Sequence, residues 1–540
     1  MRSYRSLSAA VFVVAFCALV GGFYGRSALV AQDQIPDQYK VFAAALGAIE
    51  TTFVGEAGSD RLVYGAISGM LQTLDPHSNF MDPRSYAQMR ERQEGRYYGL
   101  GISIQVADGE ITVFSLFEGS PAYQKGLRRG DVIAKIEGLD TKGWTTEQAV
   151  KKLKGPKGTT VAIGIRRAGY DELVPLDVMR DEIHIQTVRA VFMIDATTGY
   201  IQLAEFAENS NQELGRALAD LTGKGMRRLL LDIRGNPGGP LDQAIKIANR
   251  FLPKGDLIVY TRGRVSNSDQ DYRATEQSDY TSLPMIVLTN RNSASASEIV
   301  SGALQDHDRA LIVGETTFGK ALVQSVYRIS QGAGLAVTTA RYYTPSGRLI
   351  QRPWDGTFDE YLTYTQRDQD ANKAHNPEDL KLTDGGRKVY SGGGVEPDRR
   401  LDGPVDGFNP TRFARLLYNR QLFDTFAQRF SRKGDTRIVP SPKDRRDLAP
   451  NFVVDTAMVQ EFRDFLGKTK VEIDESAWQK DREFILTMIR YEIDFDLFGV
   501  AEARRRLSGS DPQVQFALTL FPEAQKLSEL SKGPVRKAQR

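Results

Sequence analysis

The sequence predicts a multidomain α/β (α+β) protein, in which an α/β core carries an inserted β-rich module and helical regions stand at both ends. Three observations predict this class. Apolar strands alternate with amphipathic helices over residues 183–400, a pattern typical of a largely parallel sheet. Short alternating runs separated by Gly, Pro and Asp fill residues 96–182. Apolar spacings of three and four residues mark residues 32–95 and 401–540 as helical.

Length and charge bound the possible classes. The chain has 540 residues, and a prior of about one domain per 150 residues gives three or four domains. Lys+Arg exceed Asp+Glu by 71 − 68 = 3, which is a small net charge for this length. Bulk charge therefore gives no argument for a nucleic-acid partner, and the short basic end of the chain is typical of a solvated terminus.

The first 31 residues predict a signal peptide or an uncleaved signal anchor. Arg2 and Arg5 precede Leu7–Tyr24, eighteen residues without a charge. Leu29 stands where a cleavage site prefers a small residue, so removal and anchoring stay open as alternatives. We expect an exported protein, either periplasmic or anchored to the outer face of the inner membrane by residues 7–24. Cys17, the single cysteine, lies in this segment, which excludes a disulfide within the mature chain.

Residues 32–95 predict a helical region. An apolar stripe at helical spacing runs through residues 61–74, and the helix is expected to end there because Pro76 disfavours helix at the residue before it. His77 follows in the turn. A histidine in a turn is more often structural than catalytic.

The β-rich module at residues 96–182 carries glycine turns in a recognisable order. Its turns and strands read Tyr98-Gly99-Leu100-Gly101-Ile102, Gly119-Ser120-Pro121-Ala122, Gly126-Leu127 and Gly130-Asp131-Val132-Ile133. This order resembles a PDZ domain. The resemblance implies that Tyr98, Gly99, Leu100, Gly101 and Ile102 form the loop that holds a peptide's terminal carboxylate, and that the peptide adds as a strand to the sheet edge.

In the α/β core, the near-continuous apolar strand 228–233 ends in Arg234-Gly235-Asn236-Pro237-Gly238-Gly239, and a helix follows. Glycines between a buried strand and a helix allow backbone amides to face a ligand oxygen, as an oxyanion hole requires, although glycine is also common in plain connecting turns. A second apolar strand, Met285–Leu288, leads into a serine cluster. Gly238 and Ser295 are therefore both expected at the ends of buried strands, where sites form in open α/β sheets.

The serine cluster, Ser293, Ser295 and Ser297, stands at the expected start of a helix. A serine there faces unpaired N–H groups and the positive end of the helix dipole, which suits a nucleophile. The alternative is structural, because Ser295-x-x-Glu298 before an apolar run is also a capping box, and capping boxes are commoner than active sites.

The base that would activate a serine is better sought in a lysine than in a histidine. His307 is twelve residues past Ser295, which puts it over about 15 Å away at the far end of the same helix. Lys320 has apolar neighbours, and burial lowers a lysine pKa toward the neutral form that can accept a proton. Gly314-x-x-x-x-Gly319-Lys320-Ala321 also nearly matches a phosphate-binding loop. It lacks the hydroxyl for Mg²⁺ at Ala321, and a strand pattern follows instead of a helix.

Taken together, these features resemble the carboxy-terminal processing proteases, the tail-specific S41-type serine peptidases. The resemblance spans about residues 40–400 in the family's order and rests on the export segment, the PDZ-like module and the motifs Leu231-Asp232-Ile233-Arg234-Gly235-Asn236-Pro237-Gly238-Gly239, Ser293-Ala294-Ser295-Ala296-Ser297-Glu298, Thr317-Phe318-Gly319-Lys320 and Tyr343-Thr344-Pro345-Ser346-Gly347-Arg348. It implies a ClpP/crotonase-like core at residues 183–400.

The resemblance also implies the site. The catalytic set is a Ser–Lys dyad of Ser295 and Lys320, which are 320 − 295 = 25 positions apart, with Gln324 orienting the lysine. The oxyanion donors fall on Ala296 and on Gly238 or Gly239, a choice that stays open. No metal or cofactor is expected. Substrates are proteins or peptides with free, apolar carboxy termini, and a homo-oligomer or an adaptor protein stays open as a further partner.

Two parts of the chain depart from the family pattern. A polar insertion at residues 352–390 is expected to be a loop or lid, and residues 401–540 are helical in pattern without a catalytic motif, which favours helix packing against the core or another subunit. A PDZ-bearing scaffold without activity on the same fold is the alternative function. Retention of Ser295, Lys320 and Gln324 together favours the protease.

Overall fold

The computed structural model describes residues 35–530 apart from residues 118, 168–169, 330–331, 355–360, 362–374, 402–409, 432–447, 450 and 470. The described residues form two compact units. One contains residues up to Pro83 together with Val326–Val337, and the other contains Arg84–Ser325 and the residues from Thr338 onward. Within the described chain, no helix is long and apolar enough to cross a membrane. The apolar segment Leu7–Tyr24 lies outside the described residues.

The elements are numbered here in chain order. The helices are α1 Ile35–Thr52, α2 Ser59–Gln72, α3 Pro83–Glu94, α4 Pro121–Gln124, α5 Thr146–Leu153, α6 Ser210–Gly223, α7 Leu241–Asn249, α8 Ala296–Asp306, α9 Arg412–Asn419, α10 Leu422–Ser431, α11 Thr456–Lys468, α12 Glu475–Lys480, α13 Arg482–Phe498, α14 Val500–Leu507, α15 Pro512–Thr519 and α16 Phe521–Leu530. The strands are β1 Asn79–Met81, β2 Arg96–Gly99, β3 Ile102–Ala107, β4 Glu110–Leu116, β5 Val132–Ile136, β6 Leu139–Asp140, β7 Thr160–Arg166, β8 Val174–Met179, β9 Asp181–His184, β10 Val188–Met193, β11 Thr198–Leu203, β12 Arg228–Asp232, β13 Leu257–Gly263, β14 Gln270–Arg273, β15 Met285–Thr289, β16 Leu311–Gly314, β17 Leu322–Arg328, β18 Gly334–Tyr343, β19 Leu380–Leu382, β20 Lys388–Tyr390 and β21 Arg399–Arg400.

The smaller unit contains helices α1 and α2, in the region that the sequence predicts to be helical. The turn after α2 is held by Asp75, whose carboxylate accepts hydrogen bonds from the N–H groups of His77 and Ser78, both at 2.8 Å. Strand β1 then pairs antiparallel with the first residues of β18. In the larger unit, the last residues of β18 pair antiparallel with β13, which also pairs with β14.

The β-rich module is a sheet in the order β3-β4-β5-β7-β8, with β6 paired to β5. Its helix α5 begins with a complete capping box, because Thr145 accepts from Gln148 N–H and the Gln148 side chain accepts from Thr145 N–H. The strands on either side of the module, β2 and β9, pair antiparallel with each other. Entry and exit are therefore adjacent, which is what an inserted module requires.

The core is a six-stranded sheet in the order β10-β11-β12-β15-β16-β21. All its pairs are parallel except β10 with β11. Successive side chains of a strand point to opposite faces. On β12, Leu229 and Leu231 pack in the cluster with α6, α7 and α8, whereas Leu230 packs with the carboxy-terminal helices α15 and α16. Both faces are covered by helices, which confirms the predicted α/β class and explains the continuous apolar runs.

Helices α9 to α13 form a separate apolar cluster, in which phenylalanine is the commonest buried residue. The sequence pattern predicts one helix over Trp478–Phe498, and this prediction is wrong. The structure ends α12 at Lys480 and begins α13 at Arg482. The reason is Asp481 between them, whose carboxylate accepts from Thr411 N–H (2.8 Å) and Thr411 Oγ1 (2.5 Å). These two hydrogen bonds hold the start of α9 against the break between α12 and α13.

Arg129 of the PDZ-like module contacts this helical cluster. The Arg129 side chain is 9% exposed and pairs with Asp424, with Glu492 at 3.1 Å and with Asp496 at 3.5 Å. Its guanidinium also lies 4.7 Å from the ring centroid of Phe495. Part of the carboxy-terminal region thus packs on the module, and part, α15 and α16, packs on the core.

The insertion at residues 352–390 is expected to be a loop or lid, but its described end is a hairpin of β19 and β20. The hairpin turn is bonded to the carboxyl end of α8. His307 Nδ1 lies 2.7 Å from Asp384 Oδ2, and Asp308 Oδ1 accepts from Thr383 Oγ1 at 2.9 Å. Residues 355–360 and 362–374 of the insertion lie outside the described residues.

His307 makes this attachment pH-dependent. Burial opposes its charged form, but the bonds to Asp384 and to the Leu257 carbonyl outweigh burial and raise the His307 pKa to about 9. The folded state therefore binds this proton more tightly than the unfolded state does. The stabilisation is fully present below about pH 6.5 and is lost as the pH rises through about 9, a change of at most about 3 kcal/mol.

We expect His307→Gln to flatten this part of the stability profile. Denaturant unfolding between pH 6 and 9.5 should show the wild-type free energy of unfolding falling above pH 6.5, with a smaller slope in the variant. The exposed His184 offers a control, and His184→Gln should keep the wild-type slope. Equal slopes in the wild type and His307→Gln would contradict the assignment.

Candidate active site

Ser295 occupies a strained position at the N-terminus of α8. It is the N-cap residue, with φ 55° and ψ −112°, in a region that non-glycine residues rarely adopt. The side chain is half-buried, whereas Ser293 and Ser297 are fully buried. The strand β15 ends just before this turn, at the carboxyl edge of the sheet. The turn therefore presents one of the three serines toward solvent.

The two flanking serines have structural bonds. Ser293 Oγ donates to the Ile233 carbonyl at 2.8 Å, and Ser297 Oγ donates to the Asn236 carbonyl at 3.0 Å. Both acceptors belong to the segment that follows β12. These hydroxyls therefore join the serine turn to the neighbouring glycine turn, a role that sequence spacing alone does not distinguish from catalysis.

The carboxylate of Glu298 holds the serine turn and the lysine turn together. It is fully buried and accepts four hydrogen bonds, from the N–H of Ser295 (2.8 Å), Gly319 (2.6 Å) and Lys320 (2.9 Å) and from Thr317 Oγ1 (2.5 Å). Burial raises its pKa, and the four donors oppose that rise. Glu298 completes the N-terminus of α8, as the capping interpretation expects, and it also fixes the segment that carries Lys320.

A second bridge joins the same two segments through their carbonyl groups. The Tyr342 hydroxyl lies 3.1 Å from the Ser295 carbonyl oxygen and also contacts the Lys320 carbonyl oxygen. Tyr342 is 1% exposed, and burial raises its pKa well above the ordinary value, with the Glu298 carboxylate adding to the rise. Its hydroxyl therefore keeps its proton and acts as a donor across the pH range in which the protein is folded.

Lys320 closes the turn between β16 and β17. Its ammonium nitrogen lies 3.2 Å from Gln324 Oε1, so the expected lysine–glutamine pair is brought together. Ala321 is fully buried, and its N–H donates to Gln351 Oε1 at 2.8 Å. The strand β17 follows at Leu322, whereas a phosphate-binding loop would require a helix there.

The glycine turn lies directly against the serine. A Cβ atom on Gly238, which has φ 95°, would lie 2.8 Å from Ser295 Cβ and 2.8 Å from the Ala296 nitrogen. The Gly238 N–H donates to Asn236 Oδ1 at 2.9 Å. The Gly239 N–H has no hydrogen-bond acceptor within the described part of the chain. Only glycine fits at 238, because any side chain would clash with the serine turn.

Asn236 links this glycine turn to β11 and to the serine turn. It is fully buried; its Nδ2 donates to the Leu203 carbonyl at 2.8 Å, and its own carbonyl accepts from Ala294 N–H at 3.0 Å. Sequence reasoning placed Asn236 in the loop without a role, and gave no role to Tyr342. For Asn236, the available signal was that a polar residue stands inside an otherwise apolar and glycine-rich segment.

In the PDZ-like module, the expected carboxylate-binding loop joins β2 to β3. Tyr98 and Gly99 end β2, Gly101 has φ 77°, and Ile102 begins β3. Leu100 is 2% exposed and belongs to the module core. Helix α5 contacts β3, the strand that follows the loop. The five residues are therefore together at one end of a strand–helix pair.

The serine is half-buried at the N-terminus of a buried helix and is held against a glycine turn at the carboxyl edge of a parallel sheet. This arrangement is typical of a serine hydrolase. The sequence profile of Peptidase family S41 matches residues 197–357, and that of the PDZ domain matches residues 88–166. A profile described as the activating protease CtpB N-terminal domain matches residues 26–85. These matches follow one another in the order expected from the sequence.

Similar proteins carry the same family name. The chain is 40% identical over 307 residues to a carboxy-terminal-processing protease of Bartonella bacilliformis, covering 56% of this chain and 70% of that protein. It is 38% identical over 297 residues to a carboxyl-terminal-processing protease of a Synechocystis species, covering 54% and 68%. A solved photosystem II D1 C-terminal processing protease is 28% identical, with a TM-score of 0.34, covering 66% of this chain and 86% of that one. The chain belongs to the carboxy-terminal-processing protease family and is a serine peptidase with a PDZ domain.

Proposed function

We propose that this protein is an endopeptidase that cleaves exported proteins near their carboxy terminus with a dyad of Ser295 and Lys320. The observation that carries the proposal is the shared carboxylate of Glu298, which accepts from the N–H groups of both residues. Two segments that are distant in sequence are thereby held on one group. Gln324 Oε1 accepts a hydrogen bond from Lys320 Nζ and orients it.

The proposed reaction is acyl transfer. Neutral Lys320 takes the proton of Ser295 Oγ, and the oxygen attacks the scissile carbonyl carbon. As the tetrahedral intermediate collapses, the C–N bond breaks and the lysine returns the proton to the leaving amine. A water molecule, deprotonated by the same lysine, then attacks the ester. The bond from the acyl carbon to Ser295 Oγ breaks, and the lysine gives its proton to that oxygen, which releases the acyl group as a carboxylic acid and restores both residues.

The oxyanion donors are proposed to be the N–H groups of Ala296 and Gly239. Ala296 is the first residue of α8, where a backbone N–H has no acceptor inside the helix. Gly238 is the less suitable of the two glycines, because its N–H already donates to Asn236. The positive end of the α8 dipole adds to the stabilisation of negative charge beside Ser295.

The PDZ domain is proposed to hold the substrate's carboxy terminus. Backbone N–H groups of the loop Tyr98–Ile102 would donate hydrogen bonds to the terminal carboxylate, and the peptide would add as a strand beside β3. Leu100 is buried in the module, so its side chain serves packing rather than contact with the peptide. An apolar terminal side chain suits a groove between β3 and α5. Residues 1–31 are proposed to direct export, and residues 96–182, 183–400 and 401–540 are proposed as the PDZ domain, protease core and helical region.

One experiment tests both parts of the proposal. An unstructured polypeptide with an apolar carboxy terminus is incubated with wild type, Ser295→Ala and Ser293→Ala, and the product termini are mapped by mass. We expect cleavage by wild type, none by Ser295→Ala, and activity within about tenfold of wild type for Ser293→Ala, because that change removes only structural hydrogen bonds, to the Ile233 carbonyl and from Asn290 N–H. Amidation of the substrate's terminus should raise KM. Undiminished cleavage by Ser295→Ala would refute the nucleophile, and an unchanged KM for the amide would refute tail recognition.

A further inference from the structure

The last described helices of the chain belong to the protease core. Five side chains of α15 and α16 are buried against the sheet, namely Val514, Ala517, Phe521, Ala524 and Leu527. They cover the face opposite α6, α7 and α8. The loop that enters α15 is thereby held near the carboxyl end of β12, where the glycine turn of the active site begins.

A carboxylate in that loop bonds to the glycine turn. Arg234, four residues before Gly238, donates from Nη2 to Asp511 Oδ2 at 2.8 Å and from Nη1 to Gln513 Oε1 at 2.8 Å. On its other side it donates to both oxygens of Asp232, from Nη2 at 2.6 Å and from Nε at 3.0 Å. The side chain of Arg234 is 16% exposed. The guanidinium therefore joins the end of β12 to Asp511 and Gln513, which lie 277 and 279 positions after Arg234 in the sequence.

Charge makes this bridge strong. Burial opposes the charged form of Asp232, but Arg234 outweighs burial and holds the Asp232 pKa below its usual value. The Tyr200 hydroxyl donates to the same carboxylate at 2.7 Å. The two carboxylates likewise raise the Arg234 pKa, although burial opposes this. Planar donors facing two carboxylates fix the guanidinium in direction as well as in place.

The glycine turn needs such support, because its backbone has little preference of its own. Gly235, Gly238 and Gly239 have φ values of 72°, 95° and 154°, and glycine alone adopts many other conformations at little cost. Asn236 holds the middle of the turn, and Arg234 holds its start. An oxyanion donor displaced by about 1 Å can lose about 100-fold in rate.

We propose that Asp511 is a positioning residue for catalysis: through Arg234 it holds the glycine turn that supplies an oxyanion donor, so the carboxy-terminal segment of the chain is part of the catalytic machinery. The inference rests on the proposed Ser295 mechanism. Asp511 itself does not touch the reacting atoms.

Asp511→Asn isolates the charge, because the other functions of the residue survive the change. Asp511 Oδ1 caps α15 by accepting from the N–H groups of Gln513 (3.0 Å) and Val514 (3.2 Å), and asparagine is an equally good N-cap. Arg234 keeps Asp232 as its counter-charge, so no buried charge is left unpaired. Glu523→Gln is the matched control, since it removes another carboxylate of the same helical pair, one bonded to the exposed Arg399.

The test measures kcat and KM on a fluorogenic peptide, the inhibition constant of a peptide boronate as a mimic of the tetrahedral intermediate, and Tm. For Asp511→Asn we expect kcat to fall about 10- to 100-fold with KM within threefold, and boronate affinity to weaken by the same factor as kcat/KM. Asp511→Glu should recover part of kcat, and Glu523→Gln should match wild type. Wild-type kcat in folded Asp511→Asn, or a loss confined to KM, overturns the inference.

A second variant covers the case in which Asp511→Asn lowers Tm by more than about 10 °C. Gln513→Leu then carries the test, because it removes only the neutral acceptor of Arg234 and one bond to the Leu401 carbonyl. A kcat loss of threefold or more at unchanged Tm supports the inference, and wild-type kcat overturns it. Ser295→Ala is assayed alongside. If it stays active, the proposed function fails; if it is inactive while the Asp511 and Gln513 variants are fully active, only the present inference fails.

Discussion

Lys320→Met is expected to lower kcat/KM for peptide cleavage by at least about 10⁴-fold, because methionine keeps the apolar stem but has no nitrogen to accept the serine proton. Lys320→Arg should be no more active, since a guanidinium does not lose its proton in a protein. Both changes keep the hydrogen bond that the Lys320 backbone N–H donates to Glu298, and both leave Ala321 buried. Steady-state kinetics on a fluorogenic peptide measure the effect.

A control variant separates the loss of the proposed base, Lys320, from the general effect of losing a lysine's positive charge. Lys246→Met removes an exposed lysine on the helix that follows the glycine turn, where it pairs with Asp242, and it should keep wild-type kinetics. Peptide binding by the Lys320 variants, measured by fluorescence anisotropy, should equal that of wild type. Activity within tenfold of wild type in folded Lys320→Met would show that another group is the base.

Glu298→Gln is expected to lose both stability and activity. The amide places an NH₂ group among four donors, so at least one buried donor has no acceptor, at a cost of about 1–3 kcal/mol. Because the same carboxylate holds the Ser295 turn and the Lys320 turn, their relative position is expected to change. We expect kcat to fall by more than about 100-fold at temperatures where the variant is folded.

The chain offers a matched control at the other end of the same helix. Asp308 is a buried carboxylate that accepts from Thr383 Oγ1, Gly385 N–H and Arg387 Nε, but these donors belong to the insertion hairpin. Asp308→Asn should therefore lower Tm by a similar amount while kcat stays within about threefold. Equal kcat losses in the two variants would mean that Glu298 acts only through general stability.

Much of the core could be predicted from local pattern. The strands β12 and β15 were expected within one residue of their observed bounds, and α8 was expected to begin at the serine cluster, because each is a continuous apolar run or an apolar stripe bounded by glycine, proline or a capping residue. The break at Asp481 was not predicted. Its cause is a bond from Thr411, seventy positions earlier, and periodicity within a segment carries no information about such a partner.

The same limit applies to the candidate site. The family resemblance selected Ser295, Lys320 and Gln324 by motif and spacing, and the structure brings the lysine and glutamine into contact. The resemblance left open whether Gly238 or Gly239 is the oxyanion donor. The Asn236 side chain bears on that choice, because it already accepts from Gly238 N–H. Glu298 was recognised as a cap only, since its other three donors lie 19 to 22 positions away.

The sequence by itself determined the α/β class, the inserted PDZ domain and the family, because apolar periodicity and motif order are local properties of the chain. The tertiary structure alone decided what the final helices do. Residues 401–540 carry no motif, yet Asp511 meets Arg234 across 277 positions, and α15 and α16 cover one face of the sheet. A single carboxylate on a polar loop has no local signature. Its role follows only from the partner that folding brings to it.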